Sequence, residues 1–193
     1  MSRRSVAQWC TYLLEPKNWI IVTVVAVGWH ADGVPGLGWG LLAALFAAAL
    51  PTLFITRGIA RGSWDDRNVS ARGPRLIVLA FITASVTLGL ILLAVFGAPQ
   101  ELTWYFGCML GSVALLAAIT IVWKVSIHCA VASGSVTILA LIFGPWVTPA
   151  YALVALTAWS RVALKDHTIA QVLAGVVLGA AAGAVTYRII PKG

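Results

Sequence analysis

Residues 160–171 read Ser160-Arg161-Val162-Ala163-Leu164-Lys165-Asp166-His167-Thr168-Ile169-Ala170-Gln171, and hydrophobic runs stand on both sides of them. A membrane-embedded chain seldom holds an arginine, a lysine, an aspartate and a histidine so close together without a use for them. His167 falls at the start of a predicted helix, with Arg161 six residues before it. An imidazole beside cations can act as a nucleophile towards phosphorus. Arginine and lysine neutralise the charge carried by phosphoryl oxygens in the transition state.

Two other segments carry matching chemistry. Lys124-Val125-Ser126-Ile127-His128 opens another apolar helix. Free backbone N–H groups at such a start favour an anion, and a second histidine can protonate a leaving oxygen. Residues 57–75 contain five arginines, Arg57, Arg61, Arg67, Arg72 and Arg75. The guanidinium fork suits phosphate oxygens. Each segment also has a plainer reading. An arginine-rich loop can simply obey the positive-inside rule, and Ser126 can simply cap its helix. Asp65-Asp66 is a single acidic pair and a poor metal signature. The phosphate chemistry runs without a metal, so no cofactor is expected.

The elements that must position these residues are membrane helices. The chain has 193 residues, is 61% hydrophobic and only 10% charged, outside the soluble globular range. A bilayer core takes about 20 apolar residues per helix. The hydrophobic runs predict helices over residues 18–30, 38–55, 76–96, 102–123, 128–143, 149–163 and 168–189, with the first short for a full span. The fold class is therefore all-α, a polytopic transmembrane bundle of six to seven spans. It forms a single membrane-embedded domain over residues 1–193, with a basic N-terminal segment, 1–17. Pro51 lies inside the second run, where it can kink the helix. Trp19, Trp29, Trp39, Trp104, Trp123, Trp146 and Trp159 fall near predicted helix ends, at the headgroup level that amphipathic rings prefer.

Seven passes place residues 57–75, 124–128 and 160–167 on one membrane face. On that topology all but Arg188 and Lys192 of the 13 lysines and arginines share this face. The positive-inside rule then turns it towards the cytoplasm, with the protein in the cytoplasmic membrane. The net charge of +7 fits membrane lipids and a phosphate substrate; no basic stripe interleaved with aromatics points to nucleic acid. Cys10, Cys108 and Cys129 have no ligand or disulfide spacing and read as packing residues. Gly175, Gly179 and Gly183 recur at the spacing that lets helices approach closely. Packing inside the bundle is the first use for that stripe, and a homodimer through the last helix the second.

Taken in order, the three segments resemble the motifs of the type 2 phosphatidic acid phosphatase superfamily of integral-membrane lipid phosphatases. Ser160-Arg161 with His167 is similar to its third motif, Ser126-Ile127-His128 to a variant of its second, and Arg67 to Arg75 to a loose form of its first. The resemblance implies that His167 is a nucleophile forming a phosphohistidine and His128 the general acid. It implies that Arg161 and Lys124, with Arg72 or Arg75, hold the phosphate, with Ser126 and Arg67 as further candidates. Substrates in that family are lipid phosphates and isoprenyl mono- or diphosphates, and no metal is needed. The chain departs from the pattern at Gln171, where the family has an aspartate that orients the histidine. A glutamine oxygen can still accept an imidazole N–H, but it brings no charge. The second motif also lacks its proline and glycine.

The expected function is a membrane-embedded phosphatase acting on a lipid-linked phosphate, such as a polyprenyl mono- or diphosphate. Two other readings fit Gln171: an enzyme that ionises or transfers a prenyl group, and a non-catalytic binder of anionic lipid.

Overall fold

The computed structural model describes residues 2–63 and 72–191. Among them there is helix and no strand. The helices are α1 (Arg3–Leu13), α2 (Pro16–Ala44), α3 (Leu50–Ala60), α4 (Arg72–Val95), α5 (Gln100–Val122), α6 (Ile127–Phe143), α7 (Tyr151–Ala163) and α8 (Ile169–Ile189). α4 to α8 coincide with predicted hydrophobic runs, whereas α1 lies in the basic N-terminal segment where no helix was expected, and the runs at 18–30 and 38–55 fall across α2 and α3. Four helical runs are long and apolar enough to cross a membrane: Arg3–Ala60, Leu76–Val95, Gln100–Val122 and Ile169–Ile189. α6, with 17 residues, is about 25 Å long, somewhat under the hydrocarbon thickness. The chain forms a helical membrane bundle. It divides into two compact units, one of residues 1–23 and 123–190, the other of 24–122 and 191–193.

In the second unit α2 is not one rod. Its helical path breaks at Asp32 and Gly33, and Gly33 takes φ 56°, ψ −130°, a region open essentially to glycine. The chain reverses there. Gly28 packs on the backbone of Gly36, and Gly40 packs on Val25. A β-carbon at Gly40 would stand 2.8 Å from the Val25 Cα, so side chains would force these arms apart. The runs at 18–30 and 38–55 are thus two arms of one tight hairpin.

Pro51 acts through the turn before it. Leu45–Ala49 is a single π-helical turn, in which the Leu50 N–H reaches back to the Leu45 carbonyl. That shift leaves the Phe46 carbonyl facing the proline nitrogen, which has no hydrogen to give. Ser85 of α4 donates its hydroxyl to this carbonyl at 2.6 Å. The expected kink is therefore a π turn whose orphaned acceptor is paired from a neighbouring helix.

The first unit holds α1, α6, α7 and α8. The glycine stripe of α8 faces α6: a β-carbon at Gly175 would meet the Ser126 carbonyl oxygen at 2.6 Å, and one at Gly183 the Gly134 oxygen at 2.8 Å. Ser133 of α6 donates to the Val176 carbonyl of α8 at 2.8 Å, an interhelical bond worth about 0.6–2 kcal/mol in a membrane. The stripe is used in packing within the protomer. Trp19 departs from its expected interfacial place. It is buried against Ala132, Val136 and Val154, because the start of α2 packs into this unit. Trp29, Trp104, Trp123 and Trp146 are exposed, as expected of ring anchors. The cysteines are unpaired thiols.

Candidate functional site

The end of α7 shapes the site. Its last turn carries Ser160 and Arg161, and the chain then leaves the helix by a reversed pair of hydrogen bonds. The Lys165 N–H reaches the Val162 carbonyl at 3.0 Å, and the Asp166 N–H reaches the Arg161 carbonyl at 3.1 Å. This closing pattern needs a left-handed residue, usually glycine. Lys165 takes it, with φ 61°, alone among the described non-glycine residues. The His167 N–H also donates to the Arg161 carbonyl, at 3.3 Å. One carbonyl therefore fixes the backbone of both Asp166 and His167.

α8 begins directly after His167. Thr168 is its N-cap, and Thr168 and Gln171 form a reciprocal capping box. The Gln171 N–H donates to Thr168 Oγ1 at 3.3 Å, and the Thr168 N–H donates to Gln171 Oε1 at 3.0 Å. The threonine–x–x–glutamine spacing is the sequence signature of this cap. Gln171, expected as the acceptor for the histidine, instead gives its side-chain oxygen to the helix terminus. Its carbonyl accepts the Ser126 N–H at 3.2 Å. Gln171 therefore caps α8 and ties it to the start of α6.

Ser126 is the N-cap of α6 and is fully buried; the Cys129 N–H approaches its hydroxyl at 3.5 Å. The hydroxyl thus serves as the cap of α6. His128 lies in the first turn of α6, half-buried, and Lys124 in the preceding connection, also half-buried. The Ser126–Gln171 bond thus joins the two segments that carry His128 and His167, and the positive ends of both helix dipoles lie there.

Arg161 is the largest fully buried side chain, only 2% exposed, and its Nη2 pairs with Asp166 Oδ2 at 3.0 Å. His167 is buried as well. Ser160, with no exposure, donates to the Thr157 carbonyl at 2.8 Å and accepts from Thr11 of α1 at 3.1 Å. Sequence reasoning missed Thr11 and Asp166 as supports. Only the five-residue step from Arg161 to Asp166 marks the second, and nothing local marks the first.

Lys124, Ser126, His128, Arg161, His167 and Gln171 all belong to the first unit. Arg67 and Asp65-Asp66 lie outside the described residues, and so do the side chains of Arg72 and Arg75. The backbone of Arg72 to Arg75 forms the first turn of α4 rather than the expected loop. Pro74 is tolerated there because first-turn N–H groups need no helical partner.

A family model described as the PAP2 superfamily matches residues 80–193, more than half of the chain and all of α6 to α8. The match begins after the arginine-rich segment. No curated protein and no solved structure matches the chain.

Proposed function

Since the chain belongs to the PAP2 superfamily, whose members are generally phosphatases acting on phosphoester substrates, we propose that it removes phosphate from a lipid-linked phosphate, a polyprenyl mono- or diphosphate. The supporting observation is the joint between α6 and α8. The Ser126–Gln171 hydrogen bond brings together the helix starts that carry His128 and His167, beside the buried Arg161.

In this reading the apolar tail lies among the helices and the head group reaches the imidazoles. An imidazole nitrogen of His167 attacks phosphorus with its lone pair. The bond from phosphorus to the leaving oxygen breaks, and His128 gives that oxygen a proton. For a monophosphate the leaving group is the prenyl alcohol; for a diphosphate it is the prenyl monophosphate. Water then attacks the phosphohistidine and gives a proton to His128, the phosphorus–nitrogen bond breaks, and inorganic phosphate leaves with the His167 imidazole restored. Arg161, Lys124 and the two helix starts stabilise charge on the phosphoryl oxygens, with Arg72, Arg75 and Arg67 proposed as further holders from their motif.

The test is phosphate release from a panel of lipid phosphates by the purified protein. His167→Ala is expected to lose turnover by at least about 10³-fold while keeping the helical circular dichroism of the wild type. Full release by His167→Ala would sink the mechanism. A rearranged or transferred carbon skeleton would instead point to prenyl processing, and lipid binding without turnover to a binder.

A further inference from the structure

Position 171 lacks a carboxylate, yet the loop that ends at His167 holds one. Asp166 is five residues from Arg161, a spacing that would not align two side chains along a helix. The left-handed turn at Lys165 breaks the helix and folds Asp166 back. Asp166 then meets Arg161 twice: its N–H donates to the Arg161 carbonyl at 3.1 Å, and its Oδ2 accepts from Nη2 at 3.0 Å. The Arg161 side chain is 2% exposed, while that of Asp166 keeps 26% exposure. A buried guanidinium requires a countercharge, and a charge-assisted bond on one corner of its planar fork sets the direction of the others. The Arg161 carbonyl that holds Asp166 also holds the His167 N–H.

We infer that Asp166 is a positioning residue for the reaction: it orients the Arg161 fork towards the phosphoryl group and locks the loop that presents His167. The inference rests on the proposed phosphatase reading. It assigns the only charged carboxylate of this segment to the arginine, and not to the histidine as position 171 would have done. Gln171 is engaged in the cap of α8, so the two polar jobs at the start of α8 are divided between residues five apart. Ground-state phosphate binding draws on Lys124 and the helix starts as well as on Arg161. Misdirection of one fork should therefore act on the chemical step more than on binding, and a displacement of about 1 Å can cost about 10²-fold in rate.

The experiment measures steady-state phosphate release from a polyprenyl phosphate, with inorganic phosphate as competitor, below the melting temperature of every variant. Asp166→Asn is expected to lower kcat about 100-fold and to leave the phosphate inhibition constant within about threefold of wild type. Asp166→Glu, which keeps the charge, should recover most of the loss. In an Arg161→Gln background, Asp166→Asn should add little, because it acts through the arginine. A role in folding alone would lower the melting temperature and spare kcat. Unchanged kcat in Asp166→Asn, a phosphate inhibition constant changed more than about threefold in either direction, no recovery by Asp166→Glu, or full additivity with Arg161→Gln would each overturn the inference. Wild-type protein that releases no phosphate would overturn the reaction reading and this role together; turnover by wild type and Asp166→Asn alike would overturn the role alone.

Discussion

Two short side-chain contacts to a carboxylate, of nearly equal length, lie in the two units. Arg161–Asp166 measures 3.0 Å in the first, and His30–Glu101 measures 2.9 Å in the second. Distance does not tell them apart; burial and spacing do. Arg161 is 2% exposed and His30 44%. The first pair is local, closed by a five-residue turn whose backbone is already fixed. The second links α2 to the start of α5 across 71 positions. In the first the arginine has lost its water and depends on its partner; in the second the imidazole keeps much of its hydration. Similar contacts therefore do different work, and the solvent around them decides which one is sensitive to mutation.

Cutting each pair at its acid sharpens the contrast. Asp166→Asn takes a charged partner from a buried guanidinium and should cost about 3 kcal/mol, the low end for a broken buried pair because Asp166 is itself partly exposed. Thermal melting in detergent micelles reads it, and an unchanged melting curve would show that water reaches Arg161. Next in size is Gln171→Ala. It removes one half of the capping box of α8 and should cost about 1 kcal/mol, with turnover reduced only as far as the loop loosens. Should turnover vanish while the melting curve stays near wild type, Gln171 acts on the histidine and not on the helix end. The smallest effect belongs to Glu101→Gln, expected below about 1 kcal/mol and without change in turnover. A loss as large as that of Asp166→Asn would erase the distinction between the two pairs.

The helices were largely legible in the sequence. An apolar run in lipid has to satisfy its backbone internally, so length and hydropathy place a helix, and α4, α5, α6 and α8 lie where the runs do. Gly144-Pro145 marked the end of α6, and the Gly175, Gly179 and Gly183 stripe marked a close helix contact. The cluster at Ser160, Arg161 and His167 stood out in the sequence because cations and an imidazole seldom interrupt such a run.

Other features were visible in the sequence without their partners. Gln171 occupies a position with two readings, a substitute for the family aspartate and the third residue of a capping box; sequence alone does not rank them. Trp19 looks like a ring anchor because it sits near a helix start, and it is buried only because α2 packs against α6 and α7. Pro51 predicted a kink, but its form as a π turn depends on Ser85, 34 positions further along, to pair the Phe46 carbonyl.

By itself, then, the sequence determined the all-helical membrane class, the positions of the helices from α4 onward and the residue types able to handle phosphate, since each follows from local composition and spacing. Tertiary structure alone decided which polar groups face which. It gave Gln171 to the cap of α8 and its carbonyl to Ser126, bound Thr11 to Ser160, and folded Asp166 onto Arg161. These choices turn on the left-handed turn at Lys165 and on glycine contacts between helices distant in the chain. Where water is excluded, a polar group must take whichever partner the packing brings within reach.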